Sequence, residues 1–174
     1  LPFDSYDPVF SRLERSLLES RSCRVPDRNE EGRRLAEATC LFFMPHCGRQ
    51  LYANLLRANW SSSGLARLLI VGNSLVEYAD AMGSVERALG GPIARAATVV
   101  TERALGEAAS SGSGAYANAF CSLSLHVFEP SRLPGRDDAF WDLPSVEAIG
   151  GEESSDDRGL LCRSDIILAT AERP

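Results

Sequence analysis

Residues 40–52 read Cys40-Leu41-Phe42-Phe43-Met44-Pro45-His46-Cys47-Gly48-Arg49-Gln50-Leu51-Tyr52, and the fold turns on how they are parsed. The apolar run is long enough for a strand, Pro45 stops it, and Gly48 supplies a turn before a segment with helical spacing. The same order recurs at Leu68-Leu69-Ile70-Val71-Gly72-Asn73-Ser74, again an apolar run ending in a small polar turn. Strands over 40–45 and 67–71, each followed by a helix, are the rhythm of βαβ units. The expected fold is therefore α/β: a Rossmann-like three-layer sandwich with a mostly parallel central sheet and helices on both faces.

Working outward, Leu51, Tyr52, Leu55, Leu56 and Trp60 recur at three- and four-residue intervals and predict a helix with one apolar face. Leu75, Val76, Tyr78, Ala79 and Met82 predict another after the second strand. Toward the N-terminus, Asp7-Pro8 resembles a cap followed by an N1 proline, and Val9, Leu13, Leu17 and Leu18 extend a helix over 7–21. Arg24-Val25 is a weak strand, and a short helix is expected around 33–38. The Ala-rich stretch 92–108 reads as a single helix, and Leu123–Phe128 as a third strand. Residues 1–148 form the expected domain, 149–163 a flexible acidic segment, and 164–174 a terminal edge strand.

A chain of 174 residues with 44% hydrophobic content can bury one core. The net charge of −6 argues against direct nucleic-acid binding and against an anionic membrane surface, both of which need clustered cations. All 18 cations are Arg, so neither a Schiff-base lysine nor a Walker lysine is available within this chain. Five scattered cysteines with no CxxC pair predict a reduced, intracellular protein. No apolar run approaches the roughly 18 to 20 residues of a membrane span. The chain opens at Leu1, which reads as a segment of something longer.

The blocks Phe43–Trp60, Leu69–Ser74 and Ser124–Phe128, with Tyr6–Phe10 and Asn29–Gly32, resemble the sensitivity-to-red-light-reduced domain family, in particular its animal branch. The resemblance covers residues 4–145. It implies a cytoplasmic or nuclear regulatory protein linked to circadian-clock gene expression and haem biosynthesis. Its relatives act in plant light signalling and fungal microtubule-drug sensitivity. One departure stands out: Phe120-Cys121-Ser122-Leu123-Ser124 lacks the Asn and the acid that family members carry ahead of the third strand, so any site that depends on that carboxylate is in doubt.

In an open sheet, ligands bind outside the carboxyl ends of strands, which selects His46, Cys47, Gly48, Arg49, Gly72, Asn73 and Ser74 as ligand-binding candidates. A Cys beside a His at a helix start is a potential nucleophile or a soft ligand, and His46 and Cys47 are the candidate haem ligands. Packing alone would equally account for Cys47 beneath the turn and His46 capping the helix. Gly72-Asn73-Ser74 stands where a phosphate-binding turn would stand, without GxGxxG spacing. Arg49 suits an anionic group or an ordinary ion pair. His126 belongs in the core unless it faces the strand edge and joins His46. Two functions follow: a regulatory domain binding a small molecule or an unidentified protein partner, and an enzyme of unknown reaction, such as a transferase, acting at the strand edge.

Overall fold

In a computed structural model of the chain, which describes residues 3–106, 122–145 and 167–171, the two quoted runs form neighbouring strands. β1 is Phe3–Tyr6, β2 Cys23–Arg24, β3 Cys40–Met44, β4 Leu68–Asn73, β5 Thr101–Ala104, β6 Leu123–Val127 and β7 Ile167–Ala171. The helices are α1 Arg12–Ser20, α2 Arg49–Ala58, α3 Ser62–Leu65, α4 Leu75–Asp80, α5 Ser84–Leu89 and α6 Pro92–Val99. β3 and β4 pair in parallel from Cys40↔Leu68 to Met44↔Gly72. Their alternation is strict: Phe42, Met44, Leu68 and Ile70 are buried, while Leu41, Phe43, Leu69 and Val71 are half-buried. Tyr52, Leu55 and Leu56 of α2, Leu75 of α4, and Ile93, Ala96 and Val99 of α6 close the core with the buried strand residues.

The expectation of a mostly parallel sheet is overturned. β3, β4, β6 and β5 make a four-stranded mixed sheet in which β6 runs antiparallel to both β4 and β5. β1 and β2 form a parallel pair. The β7 backbone lies between these two units, antiparallel to β1 and β3, giving the order β2-β1-β7-β3-β4-β6-β5. β7 thus has partners on both sides and is not an edge strand.

The physical reason lies in residues 92–108. Thr98-Val99-Val100-Thr101 is a β-branched run, and the chain becomes extended at Val100 (φ −67°, ψ 145°). α6 therefore stops at Val99 and β5 begins two residues on, where one helix was expected. That new strand pairs with β6, which occupies the slot beside β4 that a further parallel strand would have taken.

Other local differences have equally specific causes. Asp7 accepts from Val9 N–H at 2.9 Å in a tight turn, so α1 starts later, capped by Ser11 with Glu14 completing the box. Residues 33–38 are not helical because side chains of α2 and of its C-cap, Asn59, hold the backbone of 31–36. Asn59 accepts from Ala36 N–H at 2.8 Å and donates to Arg34 O at 2.8 Å, and Asn54 donates to Glu31 O at 2.7 Å. Gly32 (φ +74°) presses so close to α2 that a Cβ would lie 2.6 Å from Leu51 O.

Candidate functional site

The turns leaving β3 and β4 are laced together by hydrogen bonds. Tyr52, in the first turn of α2, donates its hydroxyl to Met44 O and accepts from Asn73 N–H at 2.8 Å. Gly72 makes this possible, since a Cβ there would stand 2.2 Å from the Tyr52 hydroxyl oxygen and 2.9 Å from Met44 O. Burial pushes the Tyr52 phenol far above its usual pKa, so it stays a neutral donor. Asn73 accepts from His46 N–H at 2.9 Å and donates to Tyr78 Oη at 2.6 Å, and Tyr78 donates on to Cys47 O at 2.9 Å. These bonds hold His46 in the left-handed region (φ +58°), a conformation unfavourable for a side-chain-bearing residue.

The α4 N-terminus, where the Gly-Asn-Ser turn suggested an anion site, already has an anion. The Glu102 carboxylate, reaching over from β5, accepts from Leu75 N–H at 2.7 Å, Val76 N–H at 3.0 Å and the Ser74 hydroxyl at 2.7 Å. Ser74 Oγ in turn accepts from Glu77 N–H at 3.0 Å as the helix cap. Glu102 also lies 3.2 Å from Nε2 of the fully buried His126, whose Nδ1 meets Ile70 O at 3.0 Å. Carbonyl oxygens only accept, so Nδ1 carries a proton. The Nε2 contact with Glu102 is close but not aligned as a hydrogen bond. Burial would raise the Glu102 pKa, yet the adjacent His126 imidazole and the hydrogen bonds from Ser74 and Val76 outweigh it and hold the carboxyl below its ordinary range.

The α2 N-terminus is arranged differently. Its cap is Gly48, which offers no side-chain acceptor, and a Cβ on Gly48 would meet nothing within 4 Å. The exposed His46 flanks this turn on one side and the half-buried Arg49 on the other, with Arg49 reaching Glu86 of α5 at 3.5 Å. The turn therefore brings together His46, Gly48 and Arg49, with Asn73 supporting it from β4. Cys47 does not join them: its side chain is fully buried in the core, and Gly72 lies covered beneath Tyr52.

With His46 exposed and Cys47 buried on the inner side of the same turn, the pair does not fit as joint ligands of one haem iron. Among the described residues no group of three or more His, Cys, Asp or Glu is arranged to hold a metal ion. His126 lies inside the sheet, bonded to Ile70, away from any shared site with His46. The residue that sequence reasoning missed is Glu102, hidden in a stretch read as helix; the β-branched run before it was the available signal.

A family model described as the SRR1 domain matches residues 4–143. The mouse "SRR1-like protein" is 51% identical over 70 residues, which is 40% of this chain and 28% of that protein. The Arabidopsis thaliana "Protein SENSITIVITY TO RED LIGHT REDUCED 1" is 48% identical over 75 residues, 43% of this chain and 27% of that protein. The Drosophila melanogaster "SRR1-like protein" is 29% identical over 137 residues, 78% of this chain and 46% of that protein. The chain thus spans less than half the length of each of these relatives. No solved structure matches it.

Proposed function

Because this chain belongs to the SRR1 domain family, we propose that it is the recognition domain of a regulatory protein and works by binding an anionic group, carried by a small molecule or a protein partner, at the β3–α2 turn. The observation that carries this reading is the contrast between two helix starts on one sheet edge. At α4 the protein's own Glu102 carboxylate satisfies the amides, whereas at α2 the Gly48 cap leaves the first turn without a side-chain acceptor. First-turn amides without a side-chain acceptor, the positive end of a ten-residue helix and a neighbouring guanidinium favour negative charge.

The role we infer is regulation of clock gene expression or of a light response, the latter in keeping with the red-light sensitivity in the Arabidopsis relative's name, exerted in the cytoplasm or nucleus without direct contact to nucleic acid or membrane. A link to haem biosynthesis would then be regulatory and would not need haem bound by His46 and Cys47 together. Catalysis at this edge is the less favoured reading, because the best nucleophile, Cys47, is enclosed by the core.

Calorimetric titration with pyrophosphate as the probe tests the proposal. Saturable binding that weakens about tenfold in Arg49→Ala, and less in His46→Ala, is the expected result. Binding that is absent, or indifferent to both substitutions, would overturn it. A parallel haem titration followed by absorbance should show no saturable Soret shift that depends on Cys47.

A further inference from the structure

α5, the helix that supplies Glu86 to the β3–α2 turn, is lightly held. None of its residues is buried, its Gly83 cap has no side-chain acceptor, and a Cβ on Gly83 would meet nothing within 4 Å. Its far end is fixed. Gly90 closes it in the left-handed conformation (φ +64°), and Gly90 O accepts from Arg95 Nε at 2.7 Å while the same guanidinium donates to Ala139 O at 2.6 Å and Phe140 O at 2.7 Å. Arg87 donates to Asp80 O at 2.8 Å, a bond within the same stretch of chain. Among the bonds and ion pairs of the described residues, the link from the start of α5 to α2 is the contact of Glu86 with Arg49 at 3.5 Å.

This link sets the guanidinium that flanks the α2 start against a carboxylate of the chain itself. The two side chains are 27% and 41% exposed, so the pair is a weak surface one that a better-placed anion can displace. The comparison with α4 is direct. There Glu102 lies on the helix amides themselves, at 2.7 and 3.0 Å, whereas Glu86 holds the guanidinium and has no bond to the α2 amides among the described residues. One carboxylate fills its helix start; the other only occupies the side chain beside it.

We propose that Glu86 regulates the β3–α2 turn as an internal competitor: it ties the start of α5 to α2 through Arg49, and an anion seated on the α2 amides takes Arg49 over and frees α5. This rests on the anion-binding reading of that turn. The anion gains the guanidinium only at the expense of Glu86, so the latch lowers affinity, and its release carries occupancy of the site into the neighbouring helix.

Calorimetric titration with pyrophosphate of wild type, Glu86→Gln, Arg49→Ala and the double variant tests this. Glu86→Gln should bind about two- to fivefold more tightly than wild type, the range an exposed ion pair supplies. In the Arg49→Ala background the same substitution should change affinity less than about 1.5-fold, because Glu86 acts through Arg49. Saturating pyrophosphate should also speed hydrogen exchange at Arg87 N–H, which donates to Gly83 O at 2.9 Å, toward the rate in ligand-free Glu86→Gln. Arg49-dependent binding that is unchanged or weaker in Glu86→Gln would overturn the latch and leave the anion site standing. Equal tightening with and without Arg49 would do the same, since it would mark plain charge repulsion, and so would exchange at Arg87 indifferent to ligand. Absence of pyrophosphate binding in both wild type and Glu86→Gln would overturn the site and the latch together.

Discussion

Replacing Glu102 should damage this fold more than removing an ordinary strand-edge carboxylate. In Glu102→Ala two α4 amides lose their acceptor, Ser74 loses its hydrogen-bond partner, and the fully buried His126 loses the only carboxylate beside it among the described residues. Buried donors left without an acceptor cost about 1–3 kcal/mol each, so the loss for these groups together is about 2–4 kcal/mol. In a chain of 174 residues this lowers the melting temperature by roughly 4–16 °C.

Glu102→Gln should be milder, about 1–2 kcal/mol, because an amide oxygen can still accept from Leu75 and Val76. Its deficit depends on pH. The folded-state pKa of Glu102 lies below the ordinary carboxylate value, so its stabilisation is full above that range and fades as pH falls through the folded value. Wild type and Glu102→Gln should therefore converge in acid and diverge at neutral pH. Urea denaturation at several pH values reads both effects. An Ala variant within about 0.5 kcal/mol of wild type at pH 7 would refute the role given to this carboxylate.

Gly72→Ala should cost at least about 2–3 kcal/mol, and less in a Tyr52→Phe background, where the 2.2 Å contact with the hydroxyl is gone; a double-mutant cycle by urea denaturation measures the coupling. Tyr52→Phe alone should cost about 1–3 kcal/mol, since it leaves Asn73 N–H without its acceptor. Asn59→Ala, at a site 2% exposed, should cost about 2–3 kcal/mol by releasing the 34–36 backbone, with faster hydrogen exchange at Ala36 N–H as its signature. Brief alkylation of the native protein followed by peptide mapping should spare Cys23, Cys40 and Cys47, which are 3%, 6% and 0% exposed; rapid labelling of Cys47 would contradict its place in the core.

How much of this was legible beforehand depended on whether the deciding force was local. β3, α2, β4 and α4 could be read because a short apolar run, a turn and a helical repeat all lie within one window. The direction of β6 could not, because Leu123–Val127 looks the same in either orientation and its partners are far away in the chain. Ala-rich composition hid β5 against a short β-branched signal, and with it Glu102. Asn59 and Asn54 overrode local preference in 31–36 from over twenty residues away. At the strand edge, residue types identified the place but not the division of labour. Gly72 and Asn73 hold the turns together and Cys47 fills the core, while His46 and Arg49 flank the uncapped start of α2.

The most direct test of that division is an amide-resolved NMR titration with inorganic phosphate. The amides of Gly48, Arg49 and Gln50 should shift saturably while those of Leu75 and Val76, already bonded to Glu102, stay in place. Shifts at Leu75 and Val76 in preference to the α2 start, or no saturable shift at either helix, would contradict the account.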